Sequence, residues 1–383
     1  MKRYIYIALL LASSFLFVRC DGKNDDEGSD AGQGNRNENY TSYWYYSYGA
    51  VGAVTHETMG FGSADEFNPY TVAHRGDTLF VANTAGGHSI ILFDKKRNTP
   101  LGILREWTDN GQTRTFQSRI DAMAMTDERL YAAGTDSRIH VFALPDLEYI
   151  TRVGNGNYWD AVFQVQALAV KDGLLYARDK DGGVSIYKEE DIRPGNYAKR
   201  YKKTSKASSN NGFNPHYMEV CPDGNIALTD YEWKCIRVLD TSLVTDQMQG
   251  GTSIDIEERK LSIEHFKPRT FARLDGRLYV TGDNLAVNIY DLEKNEWLKT
   301  LHAVKDFDFG NPERIYTDGD ILWVSDINKK KLVKMTAVKC EIREYTQVTD
   351  NIVRVEKAAT RGGEHEVFYV DITTHEIVDS FAE

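Results

Sequence analysis

Beyond its first 19 residues the chain lacks any stretch with a sustained apolar period of 3.6, which excludes a helical fold class. It also lacks the common catalytic signatures: no His-Glu-x-x-His, no Gly-x-Ser-x-Gly and no Cys-x-x-Cys. The triplet Asp308-Phe309-Gly310 stands without a glycine-rich phosphate loop or an accompanying Lys motif, so it does not read as a kinase element. "DKDGG" at 179–183 lacks the third ligand pair and distal Glu of a calcium loop and reads as a hairpin turn. The 9 His are scattered, with no pair at metal-ligand spacing. No cofactor, no metal and no catalytic residue is therefore expected, and an enzyme is kept as the alternative. Positive charge is short too, 46 Lys and Arg against 57 Asp and Glu. An acidic body repels phosphate backbones, which argues against a nucleic-acid partner.

What is present begins with "MKRYIYIALLLASSFLFVRC", a basic start, a short apolar run and Cys20. That pattern reads as a secretory signal over residues 1–19, too short for a comfortable membrane span. The Cys placed directly after it resembles the lipobox of bacterial lipoproteins, which implies lipid attachment at Cys20. Residues 20–39 follow with no large apolar side chain, the composition of a disordered tether. An acidic run after the acylated Cys resembles the export signal of surface lipoproteins in the Bacteroidota. It implies an outer-membrane anchor with cell-surface display, the periplasmic face being the alternative.

From 40 to 383 the chain repeats itself. "EFNPYTVAHRGDTLFVAN" and "GFNPHYMEVCPDGNIALTD" share Phe-Asn-Pro, a short apolar run, a turn and a second run. Seven such units are anchored on Leu79, Leu130, Leu175, Ile226, Leu278, Leu322 and Val367, at steps of roughly 44 to 52 residues. Short alternating strands joined by Gly, Asp and Asn turns complete each unit. The expected fold is an all-β propeller of seven four-stranded blades. Its last blade would be completed by the strand-rich segment 40–54, with six blades as the alternative. "LYVTGD" and "LWVSDINKKKLVKM" resemble NHL and YVTN propeller repeats, which implies this architecture without fixing an activity.

The repeat bears on the cysteines. After Cys20 there remain Cys221, Cys235 and Cys340. Cys221 should end a first strand and Cys235 begin a third, roughly 9–10 Å apart at opposite ends of one blade. No disulfide is expected, and three buried thiols are.

Loops leading into first strands and loops joining second to third strands must share one face of the disc. Asn68, Asn214 and Asn311 (with Lys267) each precede a Pro at the channel mouth on that face. They serve either to start the strand or to ring a ligand. His216, Arg269 and Arg314 follow those prolines. Trp107, Tyr158, Trp159 and Trp233 lie in loops of the same face, where aromatic and polar groups would suit a sugar. The expected function is non-enzymatic binding of a glycan or an outer-membrane protein partner by a monomeric propeller. The alternatives are a metal-dependent hydrolase, lactonase or lyase, and a scaffold for envelope assembly.

Overall fold

The computed structural model describes residues 43–155, 162, 164–178, 183–196, 198–204, 214–245, 253–254, 257–357 and 366–378. Among them there is no α-helix, only three short 3-10 turns between strands. All seven anchored segments are strands, from Thr78–Asn83 to Glu366–Asp371. The first six read as near-continuous apolar runs because both faces are covered, as sheets stacked on both sides require, whereas in the seventh only Val370 is buried.

Six of the sheets form a ring. Their innermost strands are Pro69–Arg75, Ile120–Met125, Leu168–Lys171, Pro215–Val220, Pro268–Leu274 and Pro312–Thr317, which define blades 1 to 6. The ring is legible in how the apolar side chains sort. Along Thr78–Asn83, Leu79 and Val81 face one neighbour while Phe80 and Ala82 face the other. This is the two-residue alternation of a strand put to use on both sides. Buried clusters lie between blades 1 and 2, 2 and 3, 3 and 4, 4 and 5, and 5 and 6. A sixth joins Tyr316, Trp323 and Leu332 of blade 6 to Val72, Leu79 and Phe93 of blade 1. The circle closes there.

Hydroxyl groups pin the blades to one another. Thr229 donates to the Arg269 carbonyl (3.1 Å), Thr281 to the Glu313 carbonyl (3.1 Å) and Ser325 to the Pro69 carbonyl (2.5 Å). Each hydroxyl sits near the end of a second strand and reaches the first strand of the next blade.

The expectation of seven blades is corrected by this topology. Strand Tyr43–Val54 pairs antiparallel with Lys331–Ile342, from Tyr43 opposite Ile342 to Val54 opposite Leu332. It is therefore the outer strand of blade 6 and not of a seventh. Lys331–Ile342 is 12 residues long and carries the chain outward past the blade. The last unit then forms a separate four-stranded sheet of Thr346–Gln347, Ile352–Lys357, Glu366–Asp371 and Glu376–Val378. Its small core of Val353, Val355 and Val370 packs on Tyr45 and Ile342. It also touches the N-terminal strand where Tyr46 donates its N–H to the His375 carbonyl and Trp44 stacks on the His375 ring.

Cys221, Cys235 and Cys340 form no disulfide; the first two are buried, and Cys340 is only half-buried, at the margin of this accessory core. No helix among the described residues is long and apolar enough to cross a membrane. Cys20 and the segments 1–19 and 20–39 lie outside the described residues.

Candidate binding site at the channel mouth

The Asn-Pro pairs prove to be strand-starting devices. Asn83 Oδ1 accepts the Asn68 N–H (2.7 Å), Asp230 Oδ1 the Asn214 N–H (3.5 Å), Asp283 Oδ1 the Lys267 N–H (2.7 Å) and Asp326 Oδ1 the Asn311 N–H (3.0 Å). In return the carbonyl of each pre-proline residue accepts an N–H just past the second strand. Proline costs nothing there, because its missing donor falls at the first residue of the strand. The side-chain oxygens of Asn68, Asn214 and Asn311 are buried without a partner among the described residues.

One step further along, the ladder slips. A register shift follows Pro69, Ile120, Pro215, Pro268 and Pro312, so that Tyr70, Asp121, His216, Arg269 and Glu313 stand outside the regular pairing. In blade 3 Gln166 holds the corresponding place, just before Ala167, whose carbonyl accepts the Arg178 N–H. A bulge re-aims one side chain. Here it does so around the ring and collects a band of polar groups at one end of the channel.

The band is cationic. Arg119 bonds Asp121 (2.5 Å) and lies over the Tyr70 ring at 4.1 Å. Arg269 forms an ion pair with Glu313, which also accepts the Tyr70 hydroxyl at 3.2 Å. Arg178 donates to Gln166 Oε1 (2.6 Å) and the Gln164 carbonyl (3.2 Å). Arg314 donates to the His216 carbonyl (3.1 Å) and lies 4.8 Å from the centre of the Tyr70 ring. Four guanidinium groups thus face two carboxylates. Two of them keep unused donors: Arg314 Nε and Arg178 Nε are buried without a hydrogen bond among the described residues.

The charges show in how the groups titrate. Burial, then Arg314, Arg178, Arg269 and Arg119 push the His216 imidazole down to about 3, so it stays neutral. Burial holds Arg178 down to about 10, which leaves it protonated at neutral pH. Burial also opposes the charge on Arg314, but Tyr70, Tyr316 and Asp121 outweigh it and keep that group protonated. The position of Arg119 depends on a glycine. A Cβ at Gly134 would lie 1.8 Å from the Arg119 carbonyl oxygen, so only Gly lets the two strands approach there.

Sequence reasoning brings His216, Arg269 and Arg314 to this mouth and misses Tyr70, Asp121, Arg119, Arg178 and Glu313. The available signal was the residue after each strand start, read across blades whether or not Pro precedes it.

The aromatic residues divide. Trp107 is not an exposed binding residue, and that expectation is corrected. Its loop is a hairpin, Glu106–Asp109 with Gln112–Thr115, turning on Asn110 and Gly111, both at positive φ. The hairpin folds the indole inward among Phe116, His140, Phe142 and Tyr149. Trp233 is 43% exposed, with the Arg237 guanidinium 5.7 Å from its ring. Beside it Tyr231 stacks on His216 at 4.4 Å. Tyr158 and Trp159 lie outside the described residues. Among the described residues no three His, Cys, Asp or Glu side chains converge as a metal site.

No protein-family model matches the chain, and no curated protein is significantly similar to it. Solved structures do resemble it. The WD40 repeats of RRP9 superpose with a TM-score of 0.52 at 10% identity, over 77% of this chain and 99% of that one. The β-propeller domain of Cps50 (Swd1) from Myceliophteria thermophila gives 0.52 at 10% identity, over 76% and 100%. A Bacteroides thetaiotaomicron protein of unknown function gives 0.50 at 15% identity, over 76% of each chain. The likeness is one of fold.

Proposed function

We propose that this chain is a lipid-anchored surface protein whose propeller binds without catalysing, and that its partner is a protein presenting an acidic segment to the channel mouth. The observation that carries this reading is the set Arg119, Arg178, Arg269 and Arg314, facing only Asp121 and Glu313, on a chain whose net charge is −11. A local field opposite in sign to the rest of the surface selects and orients an anionic partner. Arg119 and Arg269 remain partly exposed, so incoming carboxylates can meet their planar donors. Cys20 and the acidic tether over 20–39 support display away from the outer membrane.

A carboxylate-bearing glycan is the second reading. Exposed Trp233 and the Tyr231–His216 stack, at the same end of the channel, favour it. Sugar C–H faces pack on such rings while a uronate meets the arginines.

Affinity capture from outer-membrane extracts, followed by calorimetry, tests the reading. The wild-type propeller is expected to retain a protein whose binding weakens with salt. The double variant Arg119→Ala/Arg269→Ala should lose at least tenfold in affinity, measured well below its own melting transition, which falls because Asp121 and Glu313 lose their ion-pair partners. Binding of uronate oligosaccharides, abolished by Trp233→Ala, would select the glycan instead. Indifference of every bound species to the two arginines would overturn both readings.

A further inference from the structure

The other end of the same channel has a different character. There the inner strands of blades 1, 2, 4 and 6 open into a cavity of about 490 Å3, within the range of small-ligand sites. Its walls are soft and apolar. Met123 and Met125 come from blade 2, Met218 from blade 4, and the rings of Tyr217 and Tyr316 meet edge-on at 5.9 Å. Thioethers adapt to irregular shapes, and aromatic faces attract cations.

Two carboxylates lie in these walls, in different situations. Asp318 is committed: it accepts from Lys95 Nζ (2.7 Å), Trp323 Nε1 (3.1 Å) and the Ile321 N–H (3.1 Å). Glu219, next to Met218 on the same strand, makes no hydrogen bond and no ion pair among the described residues. Arg273 favours its charged form, but only from a distance. Burial pushes the Glu219 carboxyl up to about 7, the mark of a group lacking compensation. His74 at the rim is held towards its neutral form by burial and Lys95, so it adds no cation.

We propose that this cavity is a second binding site, for a small organic cation such as an alkylammonium or arylammonium. The charge would rest on Glu219 and the apolar body against the Met and Tyr walls. The alternatives fit the chemistry less well. A neutral apolar occupant would bury the carboxylate without a partner, at a desolvation cost. An anion would meet Glu219 and Asp318 together. The inference does not rest on the arginine mouth towards the other end of the channel, although Arg314 of that set lies behind the Tyr316 and Tyr217 walls.

Benzylammonium and its near-isosteric neutral analogue benzyl alcohol are suitable probes, titrated into the wild-type propeller at pH 8 by calorimetry. The cation is expected to bind at least tenfold more tightly than the alcohol. Glu219→Gln should abolish that preference while leaving the fold intact by circular dichroism. Equal affinity for the two probes in wild-type protein, or no heat from either, sinks the proposal. So would a Glu219→Gln protein that keeps the preference. The comparison between probes needs no variant, so it stands even if the substitution perturbs folding.

Discussion

His216 sits at the channel mouth as a neutral imidazole stacked on Tyr231, among groups that oppose its protonation from several blades: Arg314, Arg178, Arg269 and Arg119. Its folded pKa lies below the ordinary value, at about 3. The stability it contributes is therefore fully present above about pH 6.5 and is lost as the pH falls toward 3. The slope approaches about 1.4 kcal/mol per pH unit in that window. His216→Gln should lose distinctly less stability than wild type between pH 7 and pH 4.5, as read from urea midpoints. Parallel pH profiles would mean the imidazole is not held neutral by its neighbours. Much at this scale was legible in advance. His216, Arg269 and Arg314 follow prolines that begin inner strands, and their common place could be read from the repeat. Tyr70, Asp121 and Glu313 occupy the same kind of position, but nothing in the residues around each one distinguishes it. Arg119 and Arg178 come from other positions of the unit and reach the mouth only through the bulges and the turn of the sheet. Trp107 misled because an exposed hairpin and a folded-in one share the same Asn-Gly turn.

The element that the sequence placed least well is the C-terminal sheet. Its strands alternate like those of a blade and recur at the same step, since the period records hairpins and not their location in a ring. Ladder hydrogen bonds are made by backbone, so the partner of Tyr43–Val54 is not written in any single side chain. What holds the sheet in place is specific and buried. Glu376 forms an ion pair with Arg277 of blade 5 and accepts the Tyr48 hydroxyl (2.7 Å). Arg277 also donates to the Thr374 carbonyl (2.8 Å) and lies 3.7 Å from the centre of the Tyr46 ring. Arg277 and Glu376 are each only 5% exposed. Arg277→Ala would leave the carboxylate buried and unpaired, which costs about 3–5 kcal/mol. Limited proteolysis should then release the region after Ile342 while the six-bladed ring persists. A variant as resistant as wild type would show that the pair does not fasten this sheet.

At the scale of the whole molecule the ring creates two different ends of one channel. One is lined by four arginines, of which Arg269 stands on a re-aimed position, the other by methionines and tyrosines around an uncommitted glutamate. Both follow from six blades closing on one axis, with blade 6 packed on blade 1 through Tyr316, Trp323 and Val72. With seven blades the axis would be wider and neither set of side chains would meet as described. The closure depends on the N-terminal strand sealing blade 6, and a native cysteine makes that directly measurable. Tyr45 lies opposite Cys340 in the ladder, within reach of a cross-strand bond. Oxidised Tyr45→Cys protein, digested and analysed by mass spectrometry, is predicted to contain an intrachain disulfide between position 45 and Cys340. If the thiol at position 45 stays free of Cys340 and instead joins a cysteine placed within Glu376–Val378, the strand belongs to the last sheet and the six-bladed closure is wrong.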